Sequence, residues 1–105
     1  MVKRTDRLYA VGELPELFVL PKKMHAWTLR TETLGEPISA FREEIVDVPQ
    51  AGKGEVIVAN LCASVNYNGV WAALGKPKNV VAANGNYGDK KEDFHICGSE
   101  ASGIV

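Results

Sequence analysis

Residues 55–73 decide the fold, and they read EVIVANLCASVNYNGVWAA. The part from 55 to 65 is apolar at successive positions near its middle, which predicts the strongest strand of the chain, buried on both faces. Two carboxamide side chains, Asn66 and Asn68, then bracket Tyr67 directly after this strand. A polar pair is therefore expected at the end of a central strand.

The remaining sequence predicts short elements separated by turns. Alternating apolar residues predict a first strand over 24–30 and a second over 41–49, where Pro49 ends the pairing because it lacks an N–H donor. The other predicted elements are turns at 34–37 and 50–54, a helix of one or two turns over 69–74 ended by Gly75 and Pro77, a polar loop at 78–93 and the beginning of a strand at 101–105.

The carboxamide pair has two interpretations. An Asn side chain both donates and accepts hydrogen bonds and never ionises. Asn66 and Asn68 beside Tyr67 therefore suit a site that holds a neutral carbonyl or a small polar molecule. Alternatively, both are turn-forming residues whose side chains bond their own backbone.

Composition places the chain among ordinary globular proteins. It has 105 residues, 46% of them hydrophobic and 24% charged, with a net charge of -1. This length suits one small domain, and the balanced charge predicts no broad attraction for nucleic acid or an anionic membrane. No apolar signal core or membrane span is present in the sequence. A cytoplasmic protein with Cys62 and Cys97 as reduced thiols is expected.

The N-terminal part and the remainder are expected to differ in organisation. Pro15 and Pro21 limit helix formation in residues 1–22, so we expect this part to be an arm laid on the domain surface. Residues 23–105 then form the domain itself.

Residues 98–105, GSEASGIV, are the second informative segment. The glycines Gly98 and Gly103 permit close approach of another backbone, and a buried Glu100 would need a polar partner. The glycine spacing is not that of a dinucleotide-binding fingerprint, and no helix follows it.

Taken in order, these motifs resemble the N-terminal, chaperonin-10-like half of medium-chain dehydrogenases/reductases. The shared pattern is a Pro-x-x-Gly-x-Gly-Glu-Val turn at 49–56, a long strand, the Asn motif and the later Gly-x-Glu-x-x-Gly-x-Val motif. Residues 63–77, ASVNYNGVWAALGKP, and 94–105, FHICGSEASGIV, are similar to crotonyl-CoA carboxylase/reductases, as are 8–15 and 21–27 of the arm. The resemblance implies a mainly β, α+β fold: an incomplete, partly open GroES-like barrel in which 23–105 is the N-terminal part of the catalytic domain and the Rossmann domain is absent.

The resemblance also implies a reaction. In that family, NADPH gives hydride to the β-carbon of an α,β-unsaturated acyl-CoA, and the resulting enolate attacks CO2, so that crotonyl-CoA gives ethylmalonyl-CoA. The second Asn of the family's Asn-Tyr-Asn motif, here Asn68, contacts CO2. Asn66, Tyr67 and Trp71 are the expected substrate-pocket residues, and Gly98, Glu100 and Gly103 form a structural motif.

The family implied by the resemblance uses no zinc. Zinc-using relatives place a His between the Gly and Glu of the later motif, where this chain has Ser99. Non-carboxylating reductases often place a Tyr shortly after the Asn segment, where this chain has Lys76 and Pro77. Both departures favour a metal-free carboxylating reductase.

An incomplete domain has further implications. The nucleotide-binding part would be supplied in cis or in trans, the isolated chain would be inactive, and its uncovered sheet edges would favour self-association. The complete enzyme is expected to be a homo-oligomer. Alternatives are a non-carboxylating enoyl-CoA or quinone-type reductase, half of a split enzyme, or a non-catalytic GroES-like binding module.

Overall fold

Short strands and helices make up the computed structural model, which describes residues 2–84, 86–87 and 90–105. The strands are β1 (Lys3–Thr5), β2 (Val19–Pro21), β3 (Lys23–Arg30), β4 (Arg42–Asp47), β5 (Ala59–Ala63), β6 (Asn86–Tyr87), β7 (Lys90–Lys91), β8 (Phe94–Ile96) and β9 (Ala101–Ile104). The helices are α1 (Pro37–Ala40), α2 (Asn68–Leu74) and α3 (Val80–Asn84), with a 3₁₀ turn at Thr31–Thr33. Within these residues, no helix has the length and apolar character needed to cross a membrane.

The central element is an antiparallel three-stranded sheet in the order β4-β3-β8. Its first two strands lie where alternation predicts them, which confirms the strands expected over 24–30 and 41–49. Strand β4 ends at Asp47, and the N–H of Val48 instead donates to the carbonyl of Lys22 at 3.0 Å. This sheet forms one wall of the core.

A charged cluster joins all three strands of the central sheet. The guanidinium of Arg30 on β3 contacts Glu44 on β4 at 3.0 Å and Asp93 beside β8 at 2.9 Å. The hydroxyl of the fully buried Thr28 donates to the same Glu44 carboxylate. Hydrogen bonds from Arg30 and then Thr28 hold the pKa of Glu44 below its ordinary value of 4.5, although desolvation opposes them. The same partnership raises the pKa of Arg30.

The core consists of two clusters of buried apolar residues, half of which are alanines. One cluster brings α2 and α3 against β3 and the end of α1; its buried members are Leu29, Ala40, Ala72, Ala73 and Val81. The other lies within the central sheet and consists of Ala26, Val46 and Phe94. Because α2 buries two alanines, its backbone can approach the sheet closely, and its position is fixed by that packing.

Strands β5 and β9 form a separate antiparallel ribbon, which corrects the expectation for residues 55–65. Every residue of β5 is exposed, so the prediction of a strand buried on both faces is wrong. The ribbon has two strands, and no other layer of the described residues covers it. Register shifts between Asn60 and Cys62, which leaves Leu61 as a bulge.

Gly103 is required by the close approach of the two ribbon strands. A Cβ at this position would overlap the carbonyl oxygen of Ala59 and lie 2.8 Å from Cγ1 of Val58. The expectation that glycine here permits close backbone approach is therefore confirmed at Gly103. The predicted strand at 101–105 is also confirmed, as β9.

Residues 1–22 contain a parallel pair, β1 with β2, that sequence patterning did not predict. The connection between the two strands contains no helix, in agreement with the effect expected of the prolines. The N–H of Lys22 donates to the carbonyl of Thr5 at 3.0 Å, so the end of the pair leads directly into β3. The boundary between an arm of 1–22 and a domain of 23–105 stays a prediction.

The predicted loop at 78–93 is wrong in part. Asn79 caps α3, since its side-chain oxygen accepts from the N–H of Ala82 at 3.1 Å, and β6 pairs with β7. The loop prediction at Gly85, Gly88 and Asp89 lies outside the described residues. Sheets in the described part of the chain number four and form no closed barrel, so the observed class is mainly-strand α+β.

Candidate functional site

The side chain of Asn66 connects two segments that are distant in sequence. Its Nδ2 donates to Oγ of Ser99 at 2.8 Å, and its Oδ1 accepts from the backbone N–H of Asn68 at 3.0 Å. The first bond spans 33 residues and the second spans two. The carboxamide of Asn66 is therefore committed to protein partners on both sides.

Asn68 is the first residue of α2, and its backbone is firmly held there. The N–H of Asn68 donates to the side-chain oxygen of Asn66, and the backbone carbonyl of Asn66 accepts from the N–H of Gly69 at 3.1 Å. By contrast, the exposed side chain of Asn68 makes no hydrogen bond to the described residues. A fixed backbone thus presents a carboxamide whose donors and acceptor are open to a ligand.

Helix α2 is the helix that the sequence predicts over 69–74. It ends at Gly75, whose φ of 67° and ψ of 22° form a left-handed cap that favours glycine. The N–H of Gly75 donates to the carbonyl of Ala72 at 3.1 Å. The predicted helix is confirmed, with one additional residue, Asn68, at its start.

Tyr67 and Trp71 form an aromatic pair beside Asn68. Their ring centroids lie 5.7 Å apart with an interplanar angle of 83°, an edge-to-face arrangement. The two side chains are 66% and 50% exposed, although each is large and apolar over most of its surface. The pair is an exposed apolar surface next to a polar group.

Residues Gly98 to Glu100 form a turn that meets the Asn segment. Gly98 has a φ of 130°, a conformation that favours glycine. The Glu100 carboxylate accepts from the hydroxyl of Ser64, and the carbonyl of Glu100 accepts from the Ser64 N–H at 3.4 Å. Glu100 is exposed rather than buried, which corrects that part of the expectation, but it has the polar partner that was anticipated.

The Asn segment and this turn are thus joined twice, by Ser64 with Glu100 and by Asn66 with Ser99. Sequence reasoning singled out Asn66 and Glu100 but missed both serines as partners. A signal existed in the sequence, because each serine stands one or two positions from a singled-out residue in its own segment. Pairing across 33 and 36 residues has no local signature, so only the fold reveals it.

Two titratable groups precede the Gly98–Glu100 turn: His95 on β8 and Cys97 directly after β8. Burial lowers the pKa of His95, which therefore favours the neutral imidazole. Burial also raises the pKa of the Cys97 thiol, while a backbone hydrogen bond from Gly98 partly opposes this. Cys97 and Cys62 are free thiols, as expected, and Cys97 packs against the core cluster of α2.

Two cavities in the described structure lie away from the predicted site residues, none of which is among their lining residues. The larger cavity, of about 690 Å³, lies between the N-terminal arm and the end of β4, and its lining includes Arg4, Lys22 and Phe94. A second cavity of about 410 Å³ lies beside Val81 and Asp93. In the part of the chain that the structure describes, no group of three or more His, Cys, Asp or Glu side chains is placed to hold a metal ion.

Comparison with known proteins found close sequence relatives, whereas no family model matches the chain. A crotonyl-CoA carboxylase/reductase of Cereibacter sphaeroides is 45% identical over 98 residues, which cover 93% of this chain and 21% of the relative. A crotonyl-CoA reductase of Streptomyces collinus is 36% identical over 77 residues, covering 67% of this chain and 17% of the relative. The chain therefore spans about a fifth of the curated relatives it matches.

Solved structures give the same result. A crotonyl-CoA carboxylase/reductase, AntE, solved in complex with NADP, is 52% identical and superposes with a TM-score of 0.78 over 93% of this chain and 24% of its own. Another crotonyl-CoA carboxylase/reductase is 41% identical with a TM-score of 0.82 and matches 99% of this chain and 23% of its own. Over nearly all of its length, the chain is thus a homologue of the crotonyl-CoA carboxylase/reductases and corresponds to about a quarter or less of each of these relatives.

Proposed function

We propose that this chain is the CO2-holding part of an NADPH-dependent reductive carboxylase of α,β-unsaturated acyl-CoAs, within a GroES-like N-terminal domain. The observation that carries the proposal is the exposed carboxamide of Asn68, which has no hydrogen-bond partner among the described residues and stands at a fixed helix start. The sequence identity to crotonyl-CoA carboxylase/reductases over 93% of the chain supports it.

In the complete reaction, an enolate of the acyl-CoA forms a new carbon–carbon bond between its α-carbon and CO2, which becomes the carboxylate of the product. NADPH, when bound, would supply the hydride that generates the enolate. The described residues do not fit this cofactor: their single parallel strand pair, β1 with β2, is joined without a helix, so no βαβ cradle for a dinucleotide is formed. We therefore assign NADPH binding to a part of the complete protein outside this chain.

The carboxamide of Asn68 suits CO2 for a chemical reason. An amide N–H can polarise one oxygen of CO2, yet it offers no acidic proton that the enolate could capture. A donor on a backbone already held in place also needs little reorganisation as negative charge develops on the new carboxylate. Asn68 thereby favours carboxylation over protonation of the same intermediate.

Tyr67 and Trp71 complete the proposed pocket. Their exposed edge-to-face pair lies directly beside Asn68 and presents apolar surface, which suits the hydrocarbon part of an acyl chain. Covering of this surface by substrate would also keep water from the enolate. We place Asn66 next to this pocket, with its carboxamide bonded to Ser99 and Asn68.

Replacement of Asn68 tests the proposal. In the complete natural protein, Asn68→Leu should move the product from carboxylated toward simply reduced acyl-CoA by tenfold or more in ratio, since a lost oxyanion-type donor costs about 10²–10³ in rate. The ratio is measured by mass spectrometry of acyl-CoA products at saturating CO2. Asn60→Leu, an exposed Asn on β5, is the matched control and should keep the parent ratio. An unchanged ratio in Asn68→Leu contradicts the proposal.

A second candidate is reduction of the same acyl-CoA without carboxylation. The observation that favours it is the name of two Streptomyces relatives, 35% and 36% identical, as crotonyl-CoA reductases. Product analysis of the parent protein at saturating CO2 separates the two candidates. Carboxylated product supports the first, and exclusively saturated acyl-CoA supports the second.

The mass of the protein in its source cells tests whether this chain is joined to a further part that could bind NADPH. We expect an intact mass several times the 11.4 kDa of this chain, and assembly of the complete protein into a homo-oligomer. A protein of 11.4 kDa in the source cells would instead indicate half of a split enzyme or a non-catalytic binding module. Intact-mass spectrometry of the protein purified from its source cells decides between them.

A further inference from the structure

The hydroxyl of Ser99 reaches Asn68 through one intervening side chain. Ser99 Oγ accepts from Asn66 Nδ2 at 2.8 Å, and Asn66 Oδ1 in turn accepts from the N–H of Asn68 at 3.0 Å. The two ends of the Asn66 carboxamide are rigidly coupled because the group is planar. A change at Ser99 therefore alters how firmly the oxygen that fixes the start of α2 is held.

We infer that Ser99 and Asn66 form a positioning relay that sets the orientation of Asn68 and thereby the partition between carboxylation and reduction. The inference rests on the function proposed for Asn68 and extends it to residues that would not touch substrate. Asn66 then acts as a positioning residue rather than as a wall of the pocket. Ser99 becomes a determinant of product although it is exposed on a separate turn.

The bonds of Asn66 combine helix capping with a connection outside the helix. The N-cap residue of α2, Tyr67, makes no side-chain cap bond, so Asn66 is the side chain that holds this helix start. A capping role needs only the oxygen of Asn66, whereas its amide nitrogen is bonded across 33 residues to Ser99. The second connection, between Ser64 and Glu100, keeps the turn beside the Asn segment when the Ser99 bond is lost.

The geometry also limits the size of the effect. Loss of the Ser99 hydroxyl leaves Asn66 able to accept from Asn68 but free to rotate, so the backbone becomes less fixed rather than displaced. A misplaced reacting or positioning group can cost as much as 10²-fold in rate. Since the relay loosens Asn68 without removing it, we expect a change of about three- to tenfold in product ratio.

The test uses the complete natural protein and four serine variants. Ser99→Ala should lower the ratio of carboxylated to reduced acyl-CoA by about three- to tenfold and raise the KM for CO2 more than the KM for acyl-CoA. Ser99→Thr keeps the hydroxyl and should restore the parent ratio, while Ser99→Cys, a weaker acceptor of similar size, should give an intermediate value. Ser102→Ala, an exposed serine on β9, is the matched control and should behave as the parent protein.

A double variant separates the relay from a purely structural role. If Ser99 acts through Asn68, adding Ser99→Ala to Asn68→Leu leaves the product ratio of Asn68→Leu unchanged. If Ser99 acts independently, the two effects multiply, and the inference is overturned. A uniform fall in rate for both products, without a change in their ratio, also overturns it, since that is the result of local destabilisation alone.

The outcomes distinguish this inference from the proposed function. An altered ratio in Asn68→Leu together with a parent ratio in Ser99→Ala and Ser99→Cys overturns the relay and leaves the function of Asn68 intact. A parent ratio in Asn68→Leu contradicts the proposed function itself, and the relay falls with it. Altered ratios in both single variants, with recovery in Ser99→Thr, support both.

Discussion

The two asparagines of the Asn-Tyr-Asn segment have different environments although they are chemically identical. The Asn66 side chain donates to Ser99 and accepts from the backbone N–H of Asn68. The Asn68 side chain, by contrast, has no hydrogen-bond partner among the described residues. Of the two interpretations open from the sequence, the turn-forming one describes Asn66. The binding one stays a prediction for Asn68, and its geometry allows it.

The pH dependence of stability is predicted to involve Glu44. Hydrogen bonds from Arg30 and Thr28 lower its pKa in the folded protein below the ordinary 4.5, so the ionised form stabilises the fold at higher pH. This contribution is fully present above about pH 4.5 and is lost as the pH falls through the lower, folded-state value. Glu44→Gln should therefore unfold at a lower temperature than the parent at pH 7, and the difference should shrink at pH 3.5.

Thermal unfolding followed by circular dichroism at these two pH values measures the effect. Glu16→Gln, at an exposed position of the arm, is the control and should follow the parent at both pH values. A difference between Glu44→Gln and the parent that grows on acidification would show that the sign of this linkage is reversed.

Residue-level prediction succeeded where the signal was local. The capping glycine of α2 and the Asn segment are visible in sequence because a left-handed cap and an Asx-type turn depend on neighbours within a few residues. The roles of Ser64 and Ser99 are not visible, because each depends on a partner more than 30 residues away. The sequence therefore predicts the Asn segment of the candidate site but not its two serine partners.

At the scale of elements, burial was harder to predict than strand formation. Residues 55–65 have the composition of a doubly buried strand, but β5 begins at Ala59 and is exposed throughout. Composition reports what a strand could bury, whereas burial depends on a second layer, which the described residues do not supply. Helix α3 was missed for another reason: the capping signal at Asn79 lies in a segment whose glycines and polar residues indicated a loop.

The ribbon of β5 and β9 predicts an element-level response to substitution. Gly103→Ala should weaken this pairing by about 1–3 kcal/mol, because the added methyl group overlaps the carbonyl oxygen of Ala59. Faster amide hydrogen exchange in β5 and β9 of the complete protein is the expected readout.

Gly69→Ala is the matched control for this substitution. A Cβ on Gly69 would lie 3.8 Å from Sγ of Cys97, an ordinary contact, and alanine is favoured over glycine in a helix by up to about 1 kcal/mol. Exchange in the ribbon should stay at the parent rate in this variant. Equal rates in Gly103→Ala and the parent would mean that the ribbon strands separate without cost.

At the scale of the whole molecule, large apolar side chains are exposed in several places, and the ribbon of β5 and β9 is one of them. Exposed large apolar side chains occur along the ribbon and beside it, including Val58, Leu61, Ile104, Tyr67 and Trp71. The two buried core clusters, by contrast, contain alanines and larger residues in equal number. An exposed two-stranded ribbon with open edges favours association with further strands.

The isolated 105-residue chain is therefore predicted to self-associate. Sedimentation velocity over a range of micromolar concentrations should show a mass that rises with concentration. Leu61→Lys combined with Ile104→Lys should reduce this rise because charge on the ribbon opposes pairing between chains. Ile38→Lys, at a position 97% exposed on α1, should not reduce it. A concentration-independent monomer with a sharp thermal transition would contradict the prediction.

The double connection between the Asn segment and the Gly98–Glu100 turn has a consequence for evolution of chain length. The pairing of β5 with β9 and the bonds of Ser64 and Asn66 hold both ends of the intervening chain. Insertions between α2 and β8 that leave the packing of Val81 on α3 intact then change mainly the entropy of closing a loop, and doubling such a loop costs about 0.6 kcal/mol. Sequence drift and length variation can accumulate there while the geometry around Asn68 is preserved.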